Sequence, residues 1–209
     1  SGVNISQVDT LVGDVNSGIG HFKAISGDIN GDGYSDIITG AFWYPDGNGT
    51  TGAAFIYYGA ASGINTSPTS VIELKLNDPE LGYSTILSEA GDINKDGYDD
   101  FMIGIPGLNK DQPEEGIALL FYGSASGVIA APDTIEGNQE GARLGAGMAG
   151  GCDLNGDGFS DIIIGAPGYD NGEVDEGIAL VYYCAASGLD QSTADKLQNN
   201  KTGENFGAY

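Results

Sequence analysis

One nine-residue pattern, D-x-N-x-D-G-x-x-D, occurs three times in the 209 residues at nearly constant spacing. The copies begin at Asp28, Asp92 and Asp153, 64 and 61 residues apart. A short β-branched and aromatic run follows each one. Repetition at a fixed period of this length is the signature of an array of like units, so the repeat constrains the fold before any single residue does.

Each copy brings oxygen donors together. In the first they are Asp28, Asn30, Asp32, the backbone carbonyl of Tyr34, and Asp36. The second offers Asp92, Asn94, Asp96, Tyr98 and Asp100, and the third Asp153, Asn155, Asp157, Phe159 and Asp161. A glycine at position 6 permits the sharp turn that lets positions 1, 3 and 5 converge. Carboxylates, an amide and a carbonyl are hard ligands in flexible array, which suits Ca²⁺ better than Mg²⁺. Three Ca²⁺ ions, one per loop, are therefore expected. An EF-hand is excluded: its bidentate glutamate at position 12 is replaced by Thr39, Ile103 or Ile164, and no flanking segment has helical periodicity. The plainer alternative is three Asx-rich turns that only cap hairpins. In the middle loop Lys95 and Asp99 add charges of opposite sign, which are expected to cancel near that ion.

An apolar residue followed by glycine recurs ahead of the loops at Ile19-Gly20, Leu81-Gly82 and Leu144-Gly145, and once more at Phe206-Gly207. After each loop come two apolar runs, 37–41 and 53–58, 101–105 and 117–122, 162–166 and 178–183. Their composition reads as strands, and their lack of alternation says that both faces are covered. With a strand ahead of the loop and a fourth near 70–75, each unit becomes a four-stranded antiparallel blade. The expected fold class is all-β, a β-propeller of three full blades with partial blades at both ends. Residues 1–18 are the outer strand of a preceding blade, 19–80, 81–143 and 144–205 the three blades, and 206–209 the start of another.

The apolar-Gly pair, the nine-residue loop, Gly165-Ala166-Pro167 and the terminal Tyr-Tyr together resemble the FG-GAP repeat of the integrin alpha-subunit β-propeller and its relatives. The resemblance covers nearly the whole chain. It implies that the loop joins the first and second strands of a blade and binds Ca²⁺. Asparagine at position 3, where many members carry aspartate, lowers the charge of each site by one.

Thirty acidic residues against seven basic ones give a formal charge of −23. Such a surface excludes nucleic acid and anionic membrane as partners, and no apolar stretch reaches the 18 or so residues of a span. One histidine and one arginine leave little for acid–base or phosphoryl chemistry. The expected role is adhesion or assembly, with a carbohydrate-binding module or the non-catalytic propeller part of a larger secreted enzyme as alternatives. Expected partners are further blades or copies of the chain joined end to end, and a protein or glycan ligand. Abundant Ca²⁺ outside cells argues for an extracellular or cell-surface setting. Asn4, Asn48, Asn65 and Asn200 stand in glycosylation triplets. Cys152 and Cys184 both replace a glycine of the other units, in one blade only. A disulfide between them is expected, with two buried thiols as the alternative. The acidic run in the third unit (Asp170, Glu173, Asp175, Glu176) and its counterpart (Asp111, Glu114, Glu115) reads as solvated loop, and Phe42, Trp43 and Tyr44 as packing beneath a neighbouring loop.

Overall fold

The structure is a computed structural model that describes residues 9–11, 18–20, 23–41, 44, 52–74 and 85–208. Three four-stranded antiparallel sheets follow one another along the chain. The first blade holds β1 (Ile25–Gly27), β2 (Asp36–Ala41), β3 (Ala53–Tyr57) and β4 (Ser70–Glu73). The second holds β5 (Ile86–Gly91), β6 (Asp100–Ile105), β7 (Ile117–Phe121) and β8 (Asp133–Glu136). The third holds β9 (Gly147–Cys152), β10 (Asp161–Ala166), β11 (Ile178–Tyr182) and β12 (Asp195–Leu197). Strand order equals chain order in every sheet. The only described helical element is a 3₁₀ turn at Gln191–Thr193. The sheets do not close into a ring, so the fold is a partial β-propeller.

Two apolar layers join the blades. Between the first and second lie Ile25, Ile38 and Ile56 against Leu87, Phe101 and Ile103, all buried. Phe101 and Phe121 stack there with ring centroids 5.2 Å apart. Between the second and third, Met102, Leu120 and Ile135 meet Ile162, Ile164 and Leu180. Alternate residues of each central strand thus face opposite neighbours, which is why these strands read as continuous apolar runs.

The apolar-Gly pair belongs to this stacking. Leu144 N donates to Glu115 O at 3.0 Å, and Phe206 N donates to Glu176 O at the same distance. Each pair is therefore laid back onto the blade before it, although the sequence places it at the start of the next. Glycine is required there because a Cβ on Gly145 would lie 3.0 Å from Gly104 Cα and 2.6 Å from Ile117 O. The glycines of the two motifs pack backbone to backbone.

A second lock runs forward. Tyr122 Oη donates to Asp133 Oδ2 (2.7 Å) and accepts from Leu189 N of the third blade (3.3 Å). Burial and the Asp133 carboxylate raise the phenol's pKa. Tyr183, its counterpart on the third blade, donates to Asp195 within its own blade.

The two end faces are unlike. On the first blade Ala41, Ala53, Phe55 and Tyr57 are buried, with Leu11, Ile19, Tyr44 and Ile64 packed against them. The Tyr44 ring meets Phe55 edge-on at 5.5 Å, so it packs on β3 of its own blade and not beneath a neighbouring loop; Phe42 and Trp43 lie outside the described residues. On the third blade a groove of about 340 Å³ stays open, lined by Met148, Ala149, Ile163, Ala179, Leu197 and Phe206.

Candidate functional site

All three loops join the first and second strands of their blades and share one hydrogen-bond scheme. The position 1 carboxylate caps the turn: Asp28 Oδ1 accepts from Asp32 N (3.0 Å) and Oδ2 from Gly33 N (2.8 Å). Asp92 does the same for Asp96 and Gly97, and Asp153 for Asp157 and Gly158. The position 3 asparagines accept from the position 5 amides and donate through Nδ2 to the position 5 carboxylates. Those carboxylates in turn accept from the amides of Tyr34, Tyr98 and Phe159. Hydrogen bonds from the Phe159 amide and Asn155, with Lys95 nearby, hold the Asp157 carboxyl below its usual range.

Position 9 carries a structural duty that the spacing alone does not reveal. Asp36 is fully buried and accepts from Ile29 N and Gly59 N, both at 2.9 Å. Asp100 takes Ile93 N and Gly123 N, and Asp161 takes Leu154 N and Cys184 N. Each of these carboxylates ties the loop to the end of the third strand. Burial raises the pKa of Asp36 and pushes Asp100 up to about 7 against those hydrogen bonds, with Asp96 and Asp92 repelling its charge. Among the described residues, no three Asp, Glu, His or Cys side chains close up as a metal shell. The carboxylates are spread over loop amides, yet each carboxylate offers about four lone-pair sites and uses only two or three here.

The middle loop departs from expectation. Its two extra charges do not meet at one ion. Asp99 Oδ2 accepts from Asp28 N of the first loop at 2.7 Å. The Lys95 ammonium reaches the other way, 4.9 Å above the Phe159 ring of the third loop and in contact with Gly158. Lys95 also has φ 59°, where the sister loops have Gly31 and Gly156, which costs about 1 kcal/mol of backbone strain.

The expected disulfide is absent: Cys152 is exposed and free, Cys184 buried and free. Strand β10 separates them, since Cys152 pairs with Asp161 and the Asp161 carboxylate in turn accepts from Cys184 N. Two inter-strand steps of about 4.8 Å exceed the roughly 7 Å limit between Cα atoms. The acidic runs are not uniformly solvated either. Glu115 and Glu176 are fully buried, and Glu115 Oε1 accepts from the amides of Lys110, Asp111 and Gln112, capping the turn after β6. Their spacing, one residue before the glycine that opens the third strand, is the signal that could have revealed them. Asn65 and Asn200 are exposed; Asn4 and Asn48 lie outside the described residues.

Comparison with known proteins agrees with this geometry. The FG-GAP repeat profile matches residues 24–57 and 144–182, the loop-bearing parts of the first and third blades. Integrin alpha-PS5 of Drosophila melanogaster is 30% identical over 155 residues, 70% of this chain and 15% of its own length. Integrin alpha pat-2 of Caenorhabditis briggsae is 28% identical over 87% of the chain, and integrin alpha-V of Gallus gallus 27% over 81%. The chain spans only 15% and 17% of those two relatives. Repeat, blade topology and matches agree: the chain belongs to the FG-GAP repeat family, with the blades of an integrin alpha-type β-propeller.

Proposed function

We propose that the chain is a calcium-stabilised propeller segment of an extracellular or cell-surface protein, acting in adhesion or assembly through binding and without catalysis. The observation that carries this reading is the same donor set built three times; in the second loop burial pushes the Asp100 pKa to about 7, and Asp96 and Asp92 add a smaller repulsion. A hard divalent cation would offset that repulsion. The residues that would hold it are Asp28, Asn30, Asp32, Tyr34 and Asp36, and their counterparts in the second and third loops. The ion would supply charge neutralisation and fix the loop, while the position 9 aspartates anchor it to the third strand. Adhesion or assembly rests on the resemblance to integrin alpha chains. A protein ligand or a further blade fits the open apolar groove of the third blade better than a polar glycan does. Asn65 and Asn200 remain candidates for glycans, since both are exposed.

Equilibrium dialysis of the chain should show three bound Ca²⁺, and excess EGTA should lower the melting temperature, because a ligand bound only by the native state stabilises it by mass action. No binding at millimolar Ca²⁺ would sink the calcium reading. A pull-down from extracellular protein, run beside a glycan array, tests the binding role.

A further inference from the structure

The position 7 aromatic of each following loop packs on position 4 of the loop before it. Tyr98 brings its ring against Gly31, so that a Cβ there would sit 2.6 Å from Tyr98 Cε1. At the next junction position 4 is Lys95, and its side chain runs onto Phe159 and Gly158. None of the ion pairs among the described residues includes Lys95, so the ammonium is committed neither to Asp92 nor to Asp96 of its own loop. It is exposed and lies beside the turn that Asp153 caps through Gly158 N (2.7 Å). Among the described residues, the third loop thus carries a cation supplied by its neighbour, and the first two do not.

We propose that Lys95 is the built-in counter-charge of the third loop: it steadies that loop when empty and competes with the cation that would fill it. The competing half rests on the calcium reading above; the steadying half does not. Two unit charges of like sign within a Debye length of about 8 Å repel measurably at physiological salt. The third site is therefore the weakest of the three, although its own donors match those of the first. Lys95 couples the second and third loops, and asparagine at position 3 is common to all three.

The test uses the full chain and Lys95→Met, which keeps the Cβ and the stem and removes the charge, with Lys95→Arg as the conservative control. Amide resonances of Gly33, Gly97 and Gly158, each donating to its position 1 aspartate, report the three loops separately. In Lys95→Met the Gly158 transition should move to roughly three- to tenfold lower Ca²⁺, with Gly33 and Gly97 shifting less than about twofold, as expected for a partly screened charge. In EGTA the same variant should melt below wild type, while Lys95→Arg restores both behaviours. A larger shift at Gly97 than at Gly158, or no shift at either, would overturn the competition. An unchanged melt in EGTA would overturn the counter-charge itself. If no wild-type resonance responds to millimolar Ca²⁺, the calcium reading and the competition fall together, and the EGTA melts still decide whether Lys95 steadies the loop.

Discussion

The second and third blades have the same strands in the same register, and they differ in what lies on one face. Ile135 on β8 pairs with Ala118 and is 3% exposed; Leu197 on β12 pairs with Ala179 and is 47% exposed. Leu144 and Phe206 make the same backbone hydrogen bond, yet one is 1% exposed and the other 37%. The sheet is therefore indifferent to its neighbour, and the apolar residues on its faces are not. Burial in this fold is a property of the junction between blades.

Equivalent substitutions at the two positions should part company. The largest separation is expected for Leu144→Ala against Phe206→Ala. The first leaves a cavity between two blades and should cost about 3 kcal/mol, the second under about 1 kcal/mol, read from denaturant midpoints. Equal costs would mean that the third blade's face is covered in solution, as it would be in an end-to-end assembly.

Gly104→Ala and Gly165→Ala test the backbone contact in the same way. A methyl on Gly104 collides with the Gly145 carbonyl, which sits between two blades, whereas one on Gly165 collides with the Gly207 carbonyl at the open face. About 2–3 kcal/mol is expected for the first, and roughly half of that or less for the second, because the segment carrying Gly207 can lift away. A reversed order would show that the terminal segment is held more firmly than the internal one.

The smallest effect separates the two thiols of the third blade. Burial and the Asp161 charge push Cys184 up to about 12, so only on the order of one in ten thousand is thiolate at pH 8. Cys152 is exposed and should react with a thiol reagent at once, Cys184 only as pH rises towards its pKa or the blade unfolds. One fast and one slow equivalent, with no change on prior reduction, is the expected record; two slow equivalents released by reductant would restore the disulfide.

Blade number, strand positions and the loops were legible because repetition removes the ambiguity of any single run. What stayed hidden concerns direction. Lys95 and Asp99 are neighbours of one loop in the chain, but they serve the third and first loops in space. The duty of Asp36 as a clamp on Gly59 could not be separated from that of a ligand, since both need a carboxylate at the same place. Glu115 and Glu176 sat in runs whose composition is that of solvated loops, and only turn geometry buries them. The cysteine pair failed on distance across a sheet, a quantity that a list of replaced glycines does not contain.

The locks between blades face opposite ways. Tyr122 reaches forward to Leu189, while Leu144 and Phe206 are laid back on the blade before them. Each blade is thus gripped only by its immediate neighbours. Under tension or in hydrogen-exchange conditions, opening of this segment should start at the groove beside Leu197 and travel inward as a front, the third blade before the second and the second before the first. The array behaves as a ratchet of adjacent couplings, in which the strength of each face is set by the neighbour that grips it.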